Sequence, residues 1–211
     1  MELTLGVHSA WTFGWDALVA IGTLALAIGT AWAVEMPRRA EKRRRADESA
    51  ARAHEARLFA LMIVDELQRA RYALAELRRR IRTMLENPMS GSWTELLKFV
   101  DGAQVPVLKQ RIDMAKFLLD ADANAVVLSF AWMMYLEAFV RPPGKTDEEM
   151  ARGTAKRLPP LQIFACQAQI YVNQAFAAAY SVAGRVMPVP QDDDAVLTND
   201  EKEILFRRRV G

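Results

Sequence analysis

The stretch WDALVAIGTLALAIGTAWAVEMPRRAEKRRR, residues 15–45, decides the fold of the N-terminal part of the chain. It places eighteen uncharged residues, 17–34, directly before six basic residues within eight positions. An α-helix rises 1.5 Å per residue, so eighteen residues extend about 27 Å, close to the roughly 30 Å hydrocarbon core of a bilayer. The stretch therefore predicts one membrane-spanning helix.

The basic residues around this helix predict its orientation. A cleavable secretory signal carries its positive charge before a shorter apolar run of about 7 to 15 residues, whereas no Lys or Arg precedes Arg38 here. Basic residues beside a span remain on the cytoplasmic side and interact with anionic headgroups. We therefore predict an uncleaved anchor in the inner or plasma membrane, with the N-terminus outside and the bulk of the chain cytoplasmic. The expected interface residues are aromatic at both ends and basic at one: Trp11, Trp15, Trp32, Arg38, Arg39, Lys42, Arg43, Arg44 and Arg45.

Small residues recur along one face of the predicted span. Gly22, Ala25, Gly29 and Ala33 follow one another at steps of three and four residues, which places them on one side of a helix. Small side chains allow a second helix to approach closely within a membrane. This pattern favours self-association through the span.

Residues 38–86 contain no Gly and no Pro, and they are rich in the good helix formers Ala, Arg, Glu and Leu. They predict one long helix whose first part is a solvated stalk and whose second part carries a heptad seam typical of coiled coils. The seam packs either inside the chain's own core or across an oligomer, and we favour the core for residues 67–84. The eight seam positions are Ala60, Ile63, Leu67, Ala70, Leu74, Leu77, Ile81 and Met84.

The rest of the chain shows further helix signals and no convincing strand. Three capping boxes predict helix starts, at Ser92 with Glu95, Thr146 with Glu149, and Thr198 with Glu201. Pro106 fits the first turn of another helix, whose Leu108, Ile112, Ala115 and Leu119 are expected to share one face. Pro159 and Pro160 are expected to separate a short helix from the last long one.

Two apolar runs raise the question of a second membrane segment. Residues 158–184 carry no charge, but five amides lie near the middle of the run, and each would need a partner in hydrocarbon. The companion run, residues 123–136, has fourteen uncharged residues and is short for a span. We therefore favour two central helices of a soluble bundle, with a membrane hairpin over residues 123–184 as the alternative.

The residues that usually carry chemistry are few. The chain has two histidines and one cysteine, so the sequence does not indicate a nucleophile paired with histidine, and Cys166 is expected to be a small buried residue. His54 is expected to face solvent, and residues 192–194, three aspartates, are expected to form a solvated linker. The sequence Gly-Lys-Thr at residues 144–146 lacks the earlier glycine of a phosphate-binding loop. A net charge of +2 does not indicate a nucleic-acid partner.

These observations together predict an all-α protein without catalytic activity, metal or cofactor, and they identify no small-molecule substrate. It comprises a membrane anchor (1–36), a basic helical stalk (37–57), a cytosolic helical bundle (58–186), and a linker with a short amphipathic C-terminal helix (187–211). The expected function is that of a scaffold or adaptor that binds other proteins or copies of itself at the inner face of the membrane. The alternative is an effector that perturbs the bilayer through oligomerised spans. The residues expected to pack helices together are Gly22, Ala25, Gly29, Leu67, Leu74, Leu77 and Ile81.

Overall fold

A computed structural model describes the backbone of residues 7–184 and 196–207, and the side chains of residues 18–184 and 196–205. These ranges contain seven α-helices, two short 3₁₀ segments (Pro88–Ser90 and Ile112–Phe117) and no strand, which confirms the all-α class. The helices are α1 Val7–Glu86, α2 Trp93–Gly102, α3 Pro106–Arg111, α4 Asp120–Val140, α5 Asp147–Ala151, α6 Thr154–Val182 and α7 Asn199–Arg207.

The chain divides after Ala51 into two units, Met1–Ala51 and Arg52–Gly211. In the described part of the first unit the chain is helical throughout, because α1 continues through Pro37 without a break. Proline lacks the N–H that would bond the carbonyl four residues earlier, so the Ala33 carbonyl loses its helical partner. Both residues are exposed, which leaves that carbonyl accessible to other donors.

The second unit is built around one hydrophobic core. Side chains from residues 56–84 of α1 share this core with side chains from α2, α4 and α6. Helices α4 and α6 form the most extensive pairing among the other helices. Aromatic rings join these two helices, and Trp132 of α4 stacks on Tyr171 of α6 with ring centroids 6.0 Å apart and planes inclined by 7°.

The helix ends agree with the predicted caps. The capping boxes at Ser92 and Thr146 are both complete. The third is present at Thr198, whose N–H donates to Glu201 Oε2 at 2.9 Å while its Oγ1 accepts from the Glu201 N–H at 3.4 Å. Helix α1 ends at Glu86, where the Asn87 side chain takes over as the cap of the following 3₁₀ segment. Local side-chain chemistry therefore sets these boundaries.

Pro159 and Pro160 do not separate two helices, so that expectation is wrong. Both lie inside α6, which begins five residues earlier at Thr154. The two missing N–H groups deprive only the carbonyls of Ala155 and Lys156 of helical partners. Those two residues are exposed, and their carbonyls can bond to water instead.

The expected single apolar face after Pro106 is wrong in its last member. Leu108 and Ala115 are buried, but Leu119 is 76% exposed and Leu118 is buried in its place. After α3 ends at Arg111, the chain forms the 3₁₀ segment with about three residues per turn, and Leu118 is extended. The change of winding moves later residues off the face that a continuous α-helix would have kept.

Candidate membrane anchor and polar cluster

Two described helices are long and apolar enough to cross a membrane by length and composition: the part of α1 from Leu18 onward, and α4. The apolar window of α1 is wholly exposed in the structure, and its large side chains range from Val34 at 52% to Leu26 at 70% exposed. An exposed apolar run of this size is unusual for a protein surface in water and is typical of surfaces that contact a membrane or another protein.

The polar side chains inside this run bond to their own helix. Thr23 Oγ1 donates to the Val19 carbonyl at 2.6 Å, and Thr30 Oγ1 donates to the Leu26 carbonyl at 2.9 Å. In hydrocarbon a hydroxyl has no water to bond, so internal pairing removes most of its penalty. The run therefore satisfies a requirement of a spanning helix that its apolar composition alone does not guarantee.

The predicted interface and packing residues of the anchor are exposed where they are described. Trp32 is 68% exposed, and a Cβ added at Gly22 or Gly29 would meet nothing within 4 Å. Ala25, which shares that face, is exposed as well. The small-residue face is thus open for a second helix, and its use remains a prediction. The side chains of Trp11 and Trp15 lie outside the described residues.

The basic cluster is partly paired with acids on the same helix. Arg39 Nε lies 3.0 Å from Glu35 Oε1, and Arg45 Nε lies 2.8 Å from Glu41 Oε1. Arg44 also pairs with Glu41, at 3.2 Å. These pairs are exposed and therefore contribute little to stability. They do not weaken the orientation signal, because acidic residues count little in the positive-inside rule. The remaining members of the cluster, Arg38, Lys42 and Arg43, are exposed too.

The predicted seam lies in the core of the second unit. All eight positions, Ala60, Ile63, Leu67, Ala70, Leu74, Leu77, Ile81 and Met84, have no exposed surface. The chain's own helices supply the contacts, since the core to which the seam belongs includes α2, α4 and α6. These residues are thus covered without an oligomer, as we favoured for residues 67–84.

A buried ion pair lies beside the seam. Arg78 of α1 is 2% exposed and Glu201 of α7 is 1% exposed. Arg78 donates to both carboxylate oxygens of Glu201, while Arg82 donates to Oε1 at 3.0 Å. Arg78 Nη1 also reaches Gln169 Oε1 of α6 at 3.4 Å, and Nη2 reaches the Val196 carbonyl at 3.2 Å. One guanidinium therefore connects three segments of the chain.

Opposing effects act on the Glu201 carboxyl. Burial raises its pKa, but hydrogen bonds from Arg78 and from the Thr198 backbone, together with the charge of Arg78, lower it. The net pKa lies below that of an ordinary glutamate, so the group is ionised at neutral pH. A buried ion pair whose bonds are satisfied tolerates loss of neither partner, because the other charge is then left uncompensated.

Two further polar contacts tie α1 to other helices. Arg71 Nε donates to Asn173 Oδ1 of α6 at 3.0 Å, and its guanidinium lies 4.4 Å from the Phe176 ring centroid. The buried Glu66 carboxylate accepts the N–H groups of Val107 at 2.9 Å and Leu108 at 3.0 Å. Helix α3 has no cap from its own N-cap residue, so Glu66 serves as that cap from a distant helix.

The candidate chemical residues that the structure describes lie where the sequence placed them. His54 is exposed and Cys166 is buried. Burial raises the pKa of the Cys166 thiol to about 12, and the charge of Glu201 acts in the same direction. Among the described residues no three His, Cys, Asp or Glu side chains cluster as metal ligands do. The side chain of His8 and residues 192–194 lie outside the described residues.

Sequence reasoning missed the polar cluster, although one signal pointed to it. Val64, Arg71 and Arg78 follow one another at intervals of seven and flank the seam by one position. Val64 is fully buried, so the two arginines on its face are expected to turn toward the core as well.

Comparison with known protein families, with curated proteins and with solved structures finds no match to this chain.

Proposed function

We propose that this protein is a single-pass membrane scaffold or adaptor that acts by binding other proteins or copies of itself rather than by catalysis. The observation that carries the proposal is the wholly exposed apolar run of α1, followed at once by the basic cluster. The anchor spans the inner or plasma membrane with its N-terminus outside. The stalk leads to a helical bundle on the cytoplasmic side, where protein partners bind.

The topology is tested with a compartment-sensitive reporter fused after Gly211. We expect a cytoplasmic signal, because Lys and Arg next to a span are retained on that side. As a matched control, the six basic residues of the cluster are replaced by Gln, and the reporter should then divide between both sides. A periplasmic or extracellular signal from the unchanged chain would overturn the orientation.

The anchor is tested by deleting residues 1–36. The remaining chain should leave the membrane fraction in a carbonate wash and retain a helical circular dichroism spectrum, because its apolar residues have an internal core. The binding role is tested separately by affinity purification from solubilised membranes. Stoichiometric recovery of another protein or of a second tagged copy supports it, whereas recovery of the chain alone as a monomer opposes it.

The second candidate function is a membrane-perturbing effector in which α4 and α6 enter the bilayer as a hairpin. The observation in its favour is that α4 has the length and hydropathy of a span and only 28% of its apolar window is buried. Against it, α6 holds buried amides at Gln162 and Gln169, the second bonded to Asn173 and Arg78. If the chain that lacks residues 1–36 stayed in carbonate-washed membranes, this result would favour the hairpin.

A further inference from the structure

Within the second unit, polar contacts join helix α7 to α1. None of the described side chains of α7 belongs to the hydrophobic core, and among residues 196–205 only Glu201 is fully buried. Ile204 is 37% exposed and Leu205 is partly exposed. A short helix that docks through apolar burial would direct such residues inward. Among the described residues of α7, Glu201 supplies the carboxylate that is bonded to α1 in a buried site.

The surface that receives this carboxylate is specific in shape and charge. Arg78 and Arg82 of α1 donate to the carboxylate, and Gln169 of α6 holds the Arg78 guanidinium from the other side. Arg78 also donates to the carbonyl of Val196, which lies just before the capping box of α7. The recognised element is therefore an acidic residue at the third position of a capped helix, together with the backbone that enters the helix.

The energetics of a buried ion pair favour exchange over simple opening. If α7 leaves without a replacement, the Arg78 guanidinium loses its counter-ion and its hydrogen bonds to the Glu201 carboxylate. A second carboxylate presented on the same kind of helix restores the charge and the hydrogen bonds. Arginine suits this role because its planar fork binds a carboxylate through two parallel bonds.

We propose that the groove formed by Arg78, Arg82 and Gln169 is a receptor for an acid-capped helix of a partner protein, and that α7 is its built-in competitor. This inference rests on the proposed adaptor function and specifies the kind of partner it binds. A partner helix with Ser or Thr at the N-cap and Glu three residues later displaces α7. The unbound protein keeps the groove filled with its own helix.

The test uses the full-length chain in detergent micelles and a fluorescent peptide of residues 196–207. The peptide should bind the Glu201→Gln chain at least tenfold more tightly than the unchanged chain, because the resident carboxylate no longer competes. A peptide that itself carries Glu201→Gln should lose most of that binding, whereas an Asp200→Asn peptide should keep it, because Asp200 is exposed. Equal binding of the Glu201→Gln peptide and the Asp200→Asn peptide, or binding to empty micelles, would overturn the proposal.

The single cysteine provides an independent readout in the same chains. Cys166 is buried beside the Arg78–Glu201 pair, so displacement of α7 should expose it. Native-state reaction of Cys166 with an aromatic disulfide should be at least tenfold faster in the Glu201→Gln chain than in an Asp200→Asn chain, while the circular dichroism spectrum stays unchanged. Adding the unlabelled peptide to the Glu201→Gln chain should slow the reaction of Cys166 again. Equal rates in the two variants would contradict a displaceable α7.

If Glu201→Gln unfolds the chain, the unchanged protein still provides the test. Excess unchanged peptide should then compete with α7 and bind in a saturable way, and prior Arg82→Gln substitution should weaken this binding. If the Arg82→Gln substitution left peptide binding unchanged, the result would contradict the proposed groove. These outcomes concern only the groove, whereas the reporter and carbonate experiments concern only the anchor, so failure of one proposal is distinguishable from failure of the other.

Discussion

Two segments of the same helix, α1, are both rich in apolar residues and have opposite surroundings. Residues 18–36 are all exposed, whereas the seam positions of residues 60–84 have no exposed surface. The two segments differ in pattern. The first is apolar on every side over eighteen residues, and the second places its apolar residues at heptad spacing between charged ones.

This difference shows that the pattern of apolar residues on a helix indicates which environment surrounds each of its faces. A helix packed against other helices needs an apolar stripe only on the packed face, and its remaining faces meet water. A helix that is apolar all round requires an apolar environment all round, either a protein interior or a bilayer. The described residues of the first segment are exposed, while the second segment lies in a core of its own unit.

A charge placed in the buried seam of α1 should destabilise the protein more than any other substitution considered below. Leu74→Arg should unfold the second unit of the full-length chain. The lost packing alone costs about 2 to 5 kcal/mol, the unpaired buried charge adds to it, and a domain has only about 5 to 15 kcal/mol to lose. Urea titration followed by circular dichroism measures the loss.

Tyr72→Arg is the matched control for Leu74→Arg, because Tyr72 lies two residues away on α1 and is 51% exposed. Its effect should stay within about 0.5 kcal/mol, as for most surface substitutions. Chemical cross-linking tests the alternative, in which the seam packs between two copies of the chain and not inside one chain. A Leu74→Arg chain that stays folded but loses its cross-linked oligomer would show that the seam is an intermolecular surface.

The exposed segment should respond in the opposite way. Leu26→Arg places a charge near the middle of the apolar run, where insertion of Arg costs about 2.5 to 3.5 kcal/mol. The carbonate-resistant fraction should fall sharply, while the urea midpoint of the second unit stays unchanged. Met36→Arg, beside the basic cluster, should leave both quantities intact, because a long basic side chain near the end of a span reaches the headgroups.

Leu26→Arg and Leu74→Arg together test whether the two segments have different surroundings. If Leu26→Arg lowered the urea midpoint as Leu74→Arg does, residues 18–36 would belong to a protein core. In that case the anchor proposal would fail. If neither measurement changed, the apolar run would be an exposed surface with another use.

Much of the fold follows from local sequence signals. The end of α1 before Asn87, the three capping boxes and the burial of the seam are visible in the sequence, because each depends on residues within one or two helical turns. Short-range capping chemistry and helical periodicity carry this information. The exposed apolar run is visible for the same reason, since length and composition suffice.

The errors and omissions arise from long-range contacts and from backbone adjustments. The Arg78–Glu201 pair joins residues 123 positions apart, and Glu66 caps a helix that begins 40 positions later. No local pattern fixes such partners. The continuation of α6 through Pro159 and the exposure of Leu119 depend on which carbonyls reach water and on the tight 3₁₀ segment. These details are properties of the folded chain and are not encoded in its periodicity.

In the buried segment of α1, the Glu66 carboxylate makes a polar contact where the seam residues make apolar ones. Glu66→Ala should destabilise the second unit by about 1 to 3 kcal/mol, because the N–H groups of Val107 and Leu108 lose their acceptors in a buried site. Glu66→Gln retains one acceptor oxygen and should destabilise the second unit by less than Glu66→Ala does. Glu86→Ala, at an exposed position of α1, should have little effect. Equal urea midpoints for Glu66→Ala and Glu86→Ala would show that the cap contributes nothing.

The smallest expected effect concerns an ion pair that, unlike Arg78–Glu201, lies at the surface. Arg141 donates through Nη1 to Asp101 Oδ1 at 2.5 Å and through Nη2 to Oδ2 at 2.9 Å, and both side chains are more than one-third exposed. Solvent screening limits such pairs to about 0.2 to 1 kcal/mol, so Asp101→Asn should shift the urea midpoint only slightly.

The pH dependence of that small shift tests its origin. Hydrogen bonds from Arg141 lower the pKa of Asp101 against the opposing effect of partial burial, and the charge of Arg141 adds to the lowering. A carboxyl whose pKa is depressed on folding contributes stability above its unfolded pKa of about 3.9, and loses it as pH falls through the lower folded value. The difference between the unchanged chain and Asp101→Asn should therefore be constant from pH 7 to about 5 and vanish in stronger acid. If the difference persisted unchanged in strong acid, it would arise from packing, and the ion pair would contribute no measurable stability.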